Sequence, residues 1–286
     1  MNRRRTHRRS AGFIITLSLG FLLLAGCVTA PLTPVPHEPE PENPIPDVAT
    51  MYRYWAMIEA SPSPRETFRS SGWELDYFGS DETETLVLGI LYEGVYHLTF
   101  RPTRGSFFRG RNLLNYAAWP RQPAYHPQGS EFRAHSGFLT RYESVRHLVM
   151  GRIMAHREYP IVLNGLSLGG ALATLAYFDL QDVAPDLDVR LVTFAAPRVL
   201  TSGTVRRLER AGRIDESRMI RFVYGNDVIP GVPPAWTGYR HVGTCVQIGR
   251  PRRLLALSGT DHWPGIRDGI RAMLAEAGLD RSEIGY

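Results

Sequence analysis

The residues best placed to do chemistry lie in the run Gly165-Leu166-Ser167-Leu168-Gly169-Gly170. A serine hydroxyl is a weak nucleophile until a neighbouring base takes its proton, so its position matters more than its presence. Gly165, Ser167 and Gly169 fill the pattern G-x-S-x-G, in which the serine stands on a tight turn between a strand and a helix. Glycines are needed on both sides because a side chain there would strike the adjoining strand and helix. The preceding PIVLNG reads as a strand and Leu168 to Gln181 as a helix, which is the context this turn requires. The first N–H of that helix, on Leu168, is then the expected donor to an oxyanion forming on a carbonyl attacked by Ser167.

A base and an acid must complete such a serine. Only His241 and His262 follow Ser167 in the chain. In hydrolases built on this turn the order is serine, acid, histidine, with the acid in a loop just after a strand. Asp227 stands there, at the end of RFVYGND, whereas Asp179, Asp182, Asp186 and Asp188 fall on the far side of the helix after Ser167. His262 follows RRLLALSG and directly precedes the last helix-like stretch, a position from which a base reaches the carboxyl edge of a sheet; His241, ahead of VGTCVQI, is the alternative.

The elements that must hold these groups alternate. A helix is expected near Met51 to Glu59 and strands over Trp73 to Phe78, Thr85 to Tyr92 and Gly94 to Phe100. Helix, strand and helix follow over Leu139 to Tyr159, PIVLNG and Leu168 to Gln181. Val189 to Phe194 and Met219 to Tyr224 read as strands, with helices over Val205 to Ala211 and Gly265 to Ala277. Such alternation predicts an α/β fold with a mostly parallel, buried central sheet flanked by helices.

At this point the sequence resembles a known family. AHSGFLTRY, GLSLGGALATLA, LVTFAAPRV and RFVYGNDVIPGVPP occur in the order and spacing of the class 3, or fungal-type, lipases, over roughly residues 85 to 270. The resemblance implies an α/β-hydrolase fold and a Ser167-Asp227-His262 triad acting on carboxylic esters, and it matches Thr103 to the family's second oxyanion donor. Two departures are visible. Leu166 stands where the family usually has histidine, and Phe100-Arg101-Pro102-Thr103 replaces F-R-G-T/S. Pro102 has no N–H but leaves that of Thr103 available. By the same likeness Asp261 and His262 fill a D-H element, with Asp261 as local scaffolding, and His135 is a structural hydrogen-bonding histidine.

The amino-terminal part has another purpose. MNRRRTHRRS, an apolar run from Ala11 to Gly26, and the ending Leu24-Ala25-Gly26-Cys27 resemble a bacterial lipoprotein export signal, cut before a cysteine that becomes lipid-modified. The expected organisation is therefore a signal over 1–26, the lipidated Cys27 with a proline- and glutamate-rich tether over 27–47, and the hydrolase domain over 48–286. A proline-rich segment is extended and semi-rigid, suited to holding a domain off a bilayer. Val28 after the cysteine favours an outer membrane. The net charge of +5 comes from 33 basic residues, all arginine, against 28 acids, and five of the arginines lie in the signal. Removing it leaves no overall excess, which takes nucleic acid off the list of partners.

Between Thr103 and His135 the chain is rich in aromatics, and residues 105–119 are expected either to cover the cleft as a lid or to pack as core. No metal-ligand spacing and no cofactor-binding loop is present, so no metal and no cofactor is expected. Cys245 is expected to be a buried thiol without a disulfide. The combined reading is a lipid-anchored lipase or esterase of the bacterial envelope acting on acylglycerols or related lipid esters. Its rivals are a phospholipase A1 or lysophospholipase with the same triad, and a non-catalytic envelope lipoprotein that keeps the fold.

Overall fold

A computed structural model of the chain describes residues 45–61, 75–103, 121–124, 132–249 and 261–280. The export signal, Cys27, the tether up to residue 44, residues 105–119 and the RRLLALSG stretch lie outside these. The described residues fall in one unit, Glu38–Tyr286.

Its main sheet has strands β1 (Leu75–Ser80), β2 (Thr85–Tyr92), β3 (Val95–Phe100), β6 (Ile161–Leu166), β7 (Val189–Phe194), β9 (Met219–Tyr224) and β11 (Thr244–Ile248), side by side in that order. From β3 onward neighbouring strands are parallel, while β1 and β2 form an antiparallel border. The central β6 is buried at all six positions, as a parallel strand covered on both faces must be, and this is why IVLNGL shows no apolar alternation.

Helices α1 (Val48–Ala60), α2 (Ser136–Ala155), α3 (Leu168–Val183), α4 (Ser202–Arg210) and α5 (Ile266–Glu276) surround the sheet. Along α2 the buried residues Phe138, Tyr142, Val145, Val149 and Ile153 recur every three or four positions, and they pack with α3 and Leu163 in one core. Trp55 of α1 and Ile270 of α5 close the opposite face over Val162, Leu166, Phe194 and Phe222. Helix α2 begins three residues earlier than its apolar spacing predicts. The cause is a cap: His135 Nδ1 accepts the Gly137 N–H at 3.2 Å, so the first turn forms ahead of the apolar stripe.

A second, antiparallel sheet joins β10 (Tyr239–Arg240), β8 (Leu200–Thr201), β5 (Phe132–His135) and β4 (Arg121–Ala124). Strands of two to four residues carry no readable period, so sequence patterning missed them.

Candidate active site

Ser167 sits where β6 ends and α3 begins, with φ 57° and ψ −120°. A side chain in this region of backbone space is uncommon and strained, and such strain persists only where the surroundings enforce it. Here Ser167 N–H donates to Phe194 O at 2.9 Å and Ser167 O accepts the Ala171 N–H at 3.1 Å, so the peptide groups on both sides are held. The flanking glycines are obligatory. A Cβ on Gly165 would lie 2.3 Å from the Gly169 carbonyl carbon, and one on Gly169 would lie 2.0 Å from Phe100 O. The first contact lets the helix fold back over the strand. The second brings the exit of β3 against the first turn of α3.

That exit is itself fixed. Arg101 N–H donates to Leu86 O and the Arg101 guanidinium to Glu84 O, each at 3.0 Å. Thr103 follows, half-buried, at the end of this described segment. Leu168 opens α3, where the first N–H groups have no acceptor within the helix. The two expected oxyanion donors therefore belong to segments whose backbones touch at Phe100 and Gly169.

The acid and base meet from the other side. After β9 the chain turns through Gly225 at φ 50°, and Asp227 N–H closes the turn on Tyr224 O at 3.0 Å. The Asp227 side chain is fully enclosed. Its Oδ1 accepts the Ile229 N–H at 2.9 Å and its Oδ2 accepts from His262 Nδ1 at 2.8 Å. With Nδ1–H committed to the carboxylate, Nε2 on the opposite side of the ring is the nitrogen able to accept a proton. His262 lies in a wide π-type turn, Asp261–Gly265, that runs into α5.

Two connections around this pair were not legible in sequence. Asp261 is buried, and its Oδ2 accepts the Asn226 N–H at 3.0 Å. The residue before the histidine thus grips the residue before the acid. The loop after Asp227 is strapped by Arg198, whose Nη1 donates to Gly231 O at 2.5 Å and Pro233 O at 2.9 Å. His241 joins that strap: its Nε2 meets Pro230 O at 2.8 Å. Burial first, then the nearby Arg221, holds the His241 pKa well below the usual imidazole range, so the ring is neutral and donates to the carbonyl. The structure accordingly brings His262, and not His241, to Asp227. His135 is fully buried as the cap of α2, against Phe138 and Tyr239. Cys245 is half-buried in β11. No group of three or more potential metal ligands occurs among the described residues.

Residues 98–236 match the model of the lipase (class 3) family. A lipase of Rhizopus niveus is 34% identical over 118 residues, which span 39% of this chain and 29% of that protein. This chain thus spans less than a third of that relative's length. The solved triacylglyceride lipase of Rhizomucor miehei superposes with a TM-score of 0.58 at 21% identity, over 71% of this chain and 80% of that one. A further solved triacylglycerol lipase, whose catalytic centre is formed by a serine protease triad, does so with a TM-score of 0.57 at 21% identity, over 70% and 79% of the two chains. The matched segment contains Ser167 and Asp227; His262 lies beyond it and is joined to Asp227 by its hydrogen bond. The chain has the α/β-hydrolase fold of these structures, and its residues 98–236 are similar to the lipase (class 3) family.

Proposed function

We propose that this protein is a serine hydrolase of lipid esters, acylglycerols first, with Ser167 as nucleophile, His262 as base and then acid, and Asp227 orienting the imidazole. The observation that carries this reading is the pairing of a serine in a left-handed turn at the head of α3 with a buried carboxylate 2.8 Å from a histidine that leads into α5. The lipases among its relatives support the substrate class.

In the reaction, Ser167 Oγ attacks the ester carbonyl while His262 Nε2 takes its proton. Asp227 accepts from Nδ1–H and stabilises the imidazolium without itself being protonated. Charge on the carbonyl oxygen is met by the Leu168 N–H and, in this reading, by that of Thr103. The C–O bond to the alcohol breaks as His262 returns the proton to the leaving oxygen. Water, deprotonated by the same imidazole, then attacks the acyl-serine and releases the acid.

A lipid anchor completes the proposal. The L-A-G-C ending of the apolar run supports cleavage before Cys27 and acylation there, which would tether the hydrolase to a bacterial envelope membrane, the outer one by the reading of Val28. Incorporation of labelled palmitate that disappears in Cys27→Ser tests the anchor; label retained in that variant would refute it. For the chemistry, Ser167→Ala should abolish release of fatty acid from emulsified triacylglycerols and from p-nitrophenyl esters. Full activity in that variant would refute the assignment. Faster release from phospholipids than from glycerides by the parent would change the substrate, not the mechanism.

A further inference from the structure

Several of the described arginines are matched by acids: Arg146 by Asp179, Arg152 by Asp76, Arg213 by Asp182 and Arg218 by Asp188. Helix α4 departs from this. It buries Thr204, Val205 and Leu208 on its inner side and exposes Arg206, Arg207 and Arg210, which at spacings of three and four share one face. The acid among them, Glu209, is occupied by Arg240 at 2.9 Å. Arg206 and Arg210 enter no ion pair among the described residues. Arg240 and Arg133, on the adjoining strands β10 and β5, are exposed too. Positive charge is therefore collected here although the chain from Cys27 onward carries no net excess.

Beside this helix stands an exposed tryptophan. β10 packs against α4, and the turn Ala235–Thr237 leads straight into β10. Trp236 on that turn is 75% exposed, more than any other large hydrophobic side chain among the described residues. Its exposure is built in, because Thr237 N–H donates to Pro234 O at 2.9 Å and Gly238 N–H to Ala235 O at 3.0 Å, with Gly238 in the left-handed conformation at φ 87°. An indole in water loses the burial it would gain at the level of lipid headgroups, where its ring and N–H are both accommodated. Arginines on the helix that shares β10 with this turn are drawn to anionic headgroups, each favouring the bound state about fivefold.

We infer that α4 and the Trp236 turn form a docking surface for an anionic phospholipid bilayer. Trp236 enters the headgroup region and Arg206, Arg207 and Arg210 contact anionic headgroups. Docking there brings to the lipid surface the loop that begins at Asp227, nine residues before Trp236. The inference deepens the lipid-ester reading and rests on it for its purpose, while the surface itself stands on charge and exposure.

The test uses the full chain with vesicles of brominated phosphatidylcholine, alone or with phosphatidylglycerol at about one part in three. Bromine quenches an indole only at short range. The parent's fluorescence should be quenched when phosphatidylglycerol is present, and Trp236→Phe should lose that component. Arg206→Gln with Arg210→Gln should weaken the docked fraction roughly twenty-five-fold at low salt. Quenching equal in parent and Trp236→Phe, or equal without phosphatidylglycerol, would overturn the inference. So would protection of Trp236 by duplex DNA but not by vesicles. All these variants, and Ser167→Ala for docking alone, separate the two claims. Hydrolysis of dissolved p-nitrophenyl acetate should continue at the parent's rate in the surface variants. Failed docking with that rate intact refutes the surface only, and docking by a parent that hydrolyses nothing refutes the hydrolase only.

Discussion

Replacing Gly169 by alanine adds one methyl group at the most crowded backbone contact of the site. The new Cβ would stand 2.0 Å from Phe100 O, 2.8 Å from Phe100 C and 3.2 Å from Arg101 C, all backbone atoms that cannot rotate aside. Restoring ordinary contact requires α3 and the exit of β3 to separate by about 1 Å or more, given that carbon–oxygen contacts rarely fall below 3.0 Å. Both expected oxyanion donors ride on these two segments. A displacement of ~1 Å at a reacting centre costs about a hundredfold in rate, so kcat on p-nitrophenyl butyrate should fall by about that factor. Strain of about 1–3 kcal/mol, offset by up to ~1 kcal/mol of gained helix propensity, should lower Tm by a few degrees. Gly151→Ala is the control. It lies exposed within α2, and nothing comes within 4 Å of its added Cβ. That change should leave kcat alone and raise stability by about 0.5–1 kcal/mol. A Gly169→Ala enzyme with kcat within threefold of the parent and an unchanged Tm would refute the packing argument.

Three other changes probe the acid–base side and the sheet. Asp227→Asn should keep the Ile229 N–H contact through its remaining oxygen but fix the wrong His262 tautomer, lowering kcat by about 10³- to 10⁴-fold with little change in Tm. Asp261→Ala should leave the Asn226 N–H without its acceptor, costing about 1–3 kcal/mol in thermal melts and lowering kcat, while Asp261→Asn, which keeps an oxygen, should recover most of both. His97 is buried on β3, and burial first, then Arg53, lowers its pKa to about 4. The unfolded chain binds that proton more readily, so its stability contribution is full above the ordinary imidazole value of 6.5 and is lost as pH falls through 6.5 toward about 4. The loss approaches about 3 kcal/mol. Chemical denaturation from neutral to acid pH should show this slope in the parent and a flatter one in His97→Gln; identical slopes would refute it.

How much of this was readable beforehand depended on the signal each element leaves. The strands Val189–Phe194 and Met219–Tyr224 have the bounds expected from their β-branched and aromatic runs, because a buried parallel strand concentrates those residues. The turn at Ser167 was legible because its three requirements, strand, small residues and helix, are consecutive in sequence. The start of α2 was not, since a histidine cap outweighed apolar spacing. Sequence spacing also left His241 and His262 competing. What separates them is long-range: one ring meets the carbonyl of Pro230, the other the carboxylate of Asp227, across 11 and 35 residues respectively. The Asp261 clamp on Asn226 also spans 35 residues and carries no local pattern. Contacts of that kind follow from how the sheet is closed, and only the fold reveals them.

The most direct test of the central claim is covalent labelling of the folded protein with a fluorophosphonate, followed by peptide mapping and measurement of ester hydrolysis in the same sample. One phosphonyl group is expected, on Ser167 Oγ, with activity falling in step with labelling, and no label in Ser167→Ala. Label on another residue with activity lost, or full labelling of Ser167 with activity retained, would contradict it.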